Sequence, residues 1–277
     1  MCVTRELLVD SALSQRYPHV AQVRLGTHTQ RHFGDRTMHP IFAKALLAAA
    51  LLLTSLASVA ASPAATPTHP DLTQIKGAIQ HVLTGNDHYV KGRAASSFAA
   101  RIAGQHPTAT VVSCSDSRVQ AEAIDEDPEG DLFMVREIGN QMVSGEGSVE
   151  YGVRHLHTPL LLIVGHSSCG AVKAAMGNYT DLEPAIKREL DTLKVTKGNA
   201  DDAQSVKRNV EQNVNEQVKV ALKKFASEVK DGKLAVIGAV YDFRNDYGQG
   251  HGRLVFVNVN GTTDPAQIKT LLQSYRR

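Results

Sequence analysis

Two short runs carry the residues that could do chemistry: Cys114-Ser-Asp-Ser-Arg118 and, about fifty residues later, Gly165-His-Ser-Ser-Cys-Gly170. Each follows an apolar stretch. Cys114, His166 and Cys169 form a soft three-donor set with room for a fourth, exchangeable ligand, which is the composition of a zinc-type metal site. The chain has three cysteines, and the third, Cys2, falls in a stretch read below as lying outside the folded protein. Two other uses compete for the pair. One is a Cys114 to Cys169 disulfide, which would silence the site. The other is two buried cysteines acting as small hydrophobes. The three-residue offset between His166 and Cys169, and the carboxylate of Asp116 two residues beyond Cys114, favour the metal.

Two thiolates cancel the charge of a zinc ion, and a neutral imidazole adds a third bond. Asp116 then decides what the site can do. Bound to the metal, it closes the site; paired with Arg118, it leaves the fourth position to water. An ionised Asp116 beside a zinc-bound hydroxide would aim a lone pair at an electrophile, with Arg118 keeping the carboxyl charged. The plain alternative is a surface ion pair worth little. Two anionic sulfurs should acidify a bound water less than three imidazoles do, where its pKa is about 7. Activity is therefore expected to rise towards alkaline pH.

These residues need a scaffold that brings two distant segments together. Continuous apolar runs at 108–113, 131–136, 160–164 and 234–241 read as strands buried on both faces, as in a parallel sheet covered by helices. A fifth strand is expected at 254–259, after a Gly-rich segment at 247–252. Helices are expected at 71–105, in two pieces broken at Gly85-Asn86, at 182–193 and at 203–229. In the last, Val206, Val210, Val214, Val218 and Leu222 recur every four residues as a packing face, with another subunit among the possible partners. In an open parallel sheet, functional residues gather beyond the carboxyl ends of strands at a switch in strand order. Both motifs sit at such ends.

The chain has 277 residues, 42% hydrophobic and 21% charged, with a net charge of +2. That is an ordinary globular balance, and Lys and Arg are spread rather than gathered into a basic stripe, which argues against a nucleic-acid surface. No P-loop and no Cys-x-x-Cys occurs, so phosphate-loop and thiol-redox readings have little support. Residues 38–61 have the layout of a secretory signal: Met38, a charge at Lys44, an Ala/Leu-rich core, and small residues at the exit. An uncleaved anchor is the alternative. Residues 1–37 contain five Arg and no Lys; they are read as a non-native or unstructured upstream extension, with an organelle transit segment as the other choice. Residues 62–70 are a Pro-rich linker, and 71–277 form the zinc domain. The expected address is periplasmic or secreted, with no stable membrane anchor after cleavage.

The two motifs resemble those of the β-class carbonic anhydrases in type, order and separation. So do Leu83-Thr-Gly-Asn86, Phe133-Met-Val-Arg136 with Gly139-Asn140, Ser148-Val-Glu-Tyr151 and Gly238-Ala-Val-Tyr-Asp242. The resemblance covers about 75–270. It implies a single α/β domain with a mainly parallel five-stranded sheet flanked by helices and preceded by an N-terminal helical arm. It also implies zinc on Cys114, His166 and Cys169, with Asp116 and Arg118 as the catalytic dyad acting on carbon dioxide and bicarbonate. Gln105, Phe133, Ile138 and Tyr151 match positions lining the substrate pocket, some of them supplied across a dimer interface. A glutamine nine residues before the first Cys belongs to members with an open water position. Family members are dimers or higher assemblies in which the arm wraps a neighbour. Two departures stand out: Glu137 where the family usually has Asn, and Ser168 at a variable position. His106, beside Gln105, could relay protons or be an ordinary surface imidazole. Hydrolysis of carbon disulfide or carbonyl sulfide, and a noncatalytic zinc-binding role with a closed site, remain the competing functions.

Overall fold

The computed structural model describes residues 70–275. The segments expected at 1–37 and 38–61, and all but the last residue of the 62–70 linker, lie outside the described residues. Among the described residues, no helix is long and apolar enough to cross a membrane.

Five strands, β1 (Ala109–Ser113), β2 (Leu132–Arg136), β3 (Leu160–His166), β4 (Ala235–Asp242) and β5 (Arg253–Val259), form one sheet in the order β2-β1-β3-β4-β5. The first four are parallel, and β5 returns antiparallel beside β4. The central strands are nearly all buried, as their unbroken apolar sequences require. The chain leaves β1 towards β2 on one side and later places β3 on the other, so the order reverses between β1 and β3. Cys114 and His166 sit at that reversal.

The eight helices among the described residues begin with α1 (Leu72–Lys91) and α2 (Ser96–Ile102). The helical arm breaks at Gly92, which caps α1, and not at Gly85-Asn86 as expected. Asp71 and Gln74 form a reciprocal capping box at its start. The helix carries both Gly77 and Gly85 through its interior, each costing about 1 kcal/mol. No residue of α1 is buried, and Leu72, Ile75, Ile79, Val82 and Leu83 stand exposed. The arm meets the body through Glu129. That carboxylate takes the Tyr89 hydroxyl at 2.7 Å and pairs with Arg93 at 2.9 Å and Arg101 at 2.8 Å.

Between β2 and β3 lies α3 (Glu146–Glu150), which runs into a π-helical turn at Tyr151–His155. Between β3 and β4 come α4 (Gly170–Met176), α5 (Pro184–Asp191), α6 (Ala203–Lys224) and α7 (Ala226–Lys230); α8 (Pro265–Ser274) closes the chain. The single helix expected over 203–229 thus divides at Phe225, whose ring is fully buried. The valine row of α6 packs on this chain's own sheet rather than on another subunit. Val206, Val210, Val214 and Val218 are buried with Ile163, Val240 and Val257.

That helix sits close because two strand residues lack side chains. A Cβ at Gly238 would lie 2.7 Å from Val214 and 2.9 Å from Val218, and one at Gly165 would lie 2.6 Å from Val214. Gly238→Ala is therefore expected to destabilise the protein by about 1–3 kcal/mol. The check is a urea melt, in which adding Val214→Ala to Gly238→Ala should recover part of the loss. An unchanged midpoint for the single variant would contradict the packing described.

Candidate metal centre

β1 delivers Cys114 one residue past its end, and β3 delivers His166 as its last residue. Parallel pairing of Ser113 with Val164 places the two strand ends side by side. The chain then turns back through Ser168, which adopts a left-handed φ of 55°, and presents Cys169 just before α4. Cys114, His166 and Cys169 are buried, and their donor atoms all lie within 4.8 Å of one another. Both thiols are free, so the disulfide alternative is not formed.

The donor set fits a soft metal by its own chemistry. His166 Nδ1 lies 3.0 Å from the Ser167 carbonyl, which fixes the ring and turns Nε2 inward. Nε2 is buried with no hydrogen-bond partner, a costly state for a polar atom unless something else binds it. The Cys114 thiol is pulled well below its ordinary pKa by the hydrogen bond from Cys169, with His166 and the Gly139 N–H helping. Cys169 is pushed up by donating to Cys114 and by burial. One sulfur is thus readily anionic, and the second would give up its proton to a cation.

The loops that frame these donors are tied down one by one. Arg136, at the end of β2, donates to the Cys114 carbonyl at 3.3 Å and the Asp116 carbonyl at 2.8 Å, holding the 114–118 turn. Gly139 N–H approaches Cys114 Sγ at 3.5 Å. Gly139 and Asn140 both have positive φ, which curls this segment around the sulfur. Two amides of α6 hold it there. Asn213 donates to the Gly139 carbonyl at 2.8 Å and is linked to Gln217, which accepts from Met142 N at 2.8 Å. Asn209, one turn earlier, takes the Thr196 N–H. Sequence reasoning missed these contacts, although Asn209, Asn213 and Gln217 recur every four residues beside the valine row.

Asp116 is forked by Arg118. Nε reaches Oδ1 at 2.9 Å, Nη2 reaches Oδ2 at 2.7 Å, and the Arg118 backbone N–H adds a third bond at 3.0 Å. This holds the Asp116 carboxyl well below the usual carboxylate range and raises Arg118. Asp116 Oδ2 is 3.8 Å from His166 Nε2, so the carboxylate borders the donor set.

The four expected pocket residues divide. Ile138 lies in the segment around Cys114, its carbonyl taken by Gln141. Phe133 and Tyr151 pack on each other at 5.9 Å, but Phe133 pairs with Thr110, about 13 Å down the strands from Cys114. Gln105 is exposed ahead of β1, at the opposite end of that strand from the metal donors, and His106 is exposed beside it. A single chain thus brings Ile138 to the centre and leaves Gln105, Phe133 and Tyr151 elsewhere. Glu137 is half-buried, and burial with nearby Glu189 raises its pKa.

Comparison with known proteins agrees with the fold. The carbonic anhydrase family model matches residues 109–249. Carbonic anhydrase 2 of Mycobacterium tuberculosis is 33% identical over 174 residues, covering 57% of this chain and 83% of that protein. The carbonic anhydrase of Mycolicibacterium smegmatis is 48% identical over 73 residues, covering 26% and 35%. Among solved structures, the β-carbonic anhydrase CafA of Aspergillus fumigatus superposes with a TM-score of 0.53 at 26% identity, covering 71% of this chain and 98% of that one. A tetrameric β-carbonic anhydrase of Sordaria macrospora superposes at 0.56 and 24% identity, covering 66% and 98%, a likeness of fold. The chain belongs to the β-class carbonic anhydrase family.

The donor geometry yields a test that does not depend on activity. Loaded with zinc as a probe metal, Cys169→Ser is expected to lose it to a competing chelator at neutral pH faster than the parent. Asp242→Asn, which loosens the Ser167 hydroxyl next to His166, should weaken zinc retention about tenfold. Zinc retained by Cys169→Ser as firmly as by the parent would refute the assigned donors.

Proposed function

We propose that this chain is a zinc-dependent carbonic anhydrase that interconverts carbon dioxide and bicarbonate at the Cys114, His166 and Cys169 site. The observation that carries this reading is the Arg118 fork on Asp116 beside a buried three-donor set whose imidazole Nε2 has no protein partner. Zinc held by the three residues would supply a Lewis acid that acidifies a water in its open position.

The remaining work falls to the side chains. Asp116 Oδ1 is occupied by two bonds from Arg118, whereas Oδ2 takes one and faces His166. Oδ2 therefore has a lone pair free to accept from the attacking water and turn its oxygen towards the substrate carbon. As the new C–O bond forms, one C=O electron pair moves to oxygen and the water's proton leaves to buffer. With Arg118 depressing its pKa, Asp116 stays ionised at any pH above about 4, the ordinary carboxylate value. It therefore serves as an acceptor and not as a proton store, and an alkaline rise in activity comes from the water.

Ile138 would form one wall of an apolar pocket suited to carbon dioxide. Gln105, Phe133 and Tyr151 would come from a second copy, which makes the working unit a homodimer or a higher assembly. The exposed apolar row on α1 supports such pairing. Residues 38–61 are read as a cleaved signal, placing the mature protein in the periplasm or outside the cell.

Stopped-flow carbon dioxide hydration by protein beginning near Ser62, with zinc assayed on the same sample, tests the chemistry. Rapid hydration that rises from neutral to alkaline pH is expected, with Asp116→Ala keeping its zinc and losing about hundredfold or more in kcat. Zinc-loaded parent with no hydration, or a profile highest in acid, would sink the reading. Sedimentation should find a dimer or a multiple of it at micromolar concentration, and the full chain expressed in a bacterium should yield a periplasmic form starting near Ser62. A lone monomer, or an uncut membrane-bound form, would count against the respective assignment.

A further inference from the structure

β4 ends at Asp242, and the chain turns there before entering β5. Asp242 is completely buried, and its carboxylate accepts from Ser167 Oγ at 2.7 Å, Asp246 N at 2.9 Å and Tyr247 N at 2.8 Å. A buried carboxylate with three donors fixes the turn that supplies two of them. A second brace is His251 Nδ1, 3.0 Å from the Phe243 carbonyl. Phe243 is thereby held beside the metal donors. Its ring meets Tyr241 edge-on at 5.7 Å, lies 6.0 Å from the His166 ring at 29° between planes, and sits 4.7 Å from the Arg118 guanidinium carbon.

The Arg118 contact bears on how the site works. The Arg118 side chain is 51% exposed, and a single fork to one carboxylate so near water is a weak restraint on a long side chain. Yet Asp116 Oδ2 has two possible partners: Arg118 Nη2 at 2.7 Å, and a metal on His166 Nε2, itself 3.8 Å away. Whichever holds that oxygen decides whether the fourth position is open. A ring under the guanidinium favours the arginine, because the cation gains the face of the ring as well as the carboxylate.

We infer that Phe243 is a positioning residue whose ring clamps Arg118 onto Asp116 and so keeps Asp116 from becoming the fourth metal ligand. The inference rests on the zinc reading proposed above. It assigns to the β4–β5 turn, which supplies none of the metal donors, the choice between an open and a closed centre.

The test is azide binding to the cobalt(II)-loaded protein, followed in the visible spectrum, for the parent, Phe243→Leu and Phe243→Tyr. Phe243→Leu should bind azide about three- to tenfold more weakly with cobalt content and thermal midpoint unchanged, while Phe243→Tyr, which keeps the ring, stays within about twofold of the parent. In hydration, Phe243→Leu should lower kcat with little change in KM. If Phe243→Leu is too unstable to load cobalt, Phe243→Met carries the same expectation, since it fills similar volume without a ring. Equal azide affinity in the ringless variants and the parent overturns the clamp, as does equal weakening in Phe243→Tyr and Phe243→Leu. A parent that takes up no azide overturns the clamp and the open site together. A parent that binds azide but does not hydrate carbon dioxide refutes the proposed reaction alone, and the clamp is then judged on the variants.

Discussion

The parallel pairing of β1 with β3, with Ser113 opposite Val164, is the constraint on which the rest of this structure depends. It sets the ends of two strands, about fifty residues apart in sequence, at one level and at the point where the strand order reverses. The crevice left there is where an open α/β sheet can host a ligand. Slipping either strand by one residue would turn its side chains to the opposite face. The depth of α6 enforces the register, because Val214 packs against both Gly165 and Gly238, where no Cβ would fit. A packing relation between three small or branched residues thus underwrites the placement of the sulfur and imidazole donors.

Electrostatics finish what packing begins. Two sulfurs and an imidazole gathered in a buried space are unfavourable unless charge is compensated. The protein compensates partly with its own groups, through the Gly139 N–H on Cys114. A cation would complete the balance. Arg118 and Arg136 lie on the same rim but act differently. Arg136 grips backbone carbonyls and fixes the 114–118 turn, whereas Arg118 grips a side chain that a metal could also claim. The first contact is structural, and the second is an equilibrium that neighbouring groups can bias.

Much of this was legible in the sequence. The strands announced themselves as unbroken apolar runs, and the donors stood at their ends. Residues whose role depends on long-range contact were not legible. Asn213 and Gln217 share the four-residue period of the valine row, so the pattern marked a helix without revealing that its polar edge holds the loop around Cys114. Phe243 falls after the last quoted motif, in a turn whose shape is set by the buried Asp242 carboxylate and not by local propensity. The break at Gly92 was missed because α1 carries both Gly77 and Gly85 through its interior, and glycine alone is a weak stop.

Gln105, Phe133 and Tyr151 lie away from the metal donors within one chain. Phe133 and Tyr151 build an aromatic wall with no metal donor facing it, and α1 carries an apolar row that buries nothing. Each is costly or idle in isolation, since an exposed apolar helix face gains nothing from water. A two-fold arrangement, as proposed, would answer both at once, because an isologous interface presents the same two surfaces twice. The arm that covers a neighbour would also bring that neighbour's wall within reach of the donors. Glu129, which receives Tyr89, Arg93 and Arg101, is then the joint that sets the direction in which the arm leaves its own domain. Assembly and chemistry would in that case share one cause, since the surfaces that drive pairing flank the ones that shape the pocket.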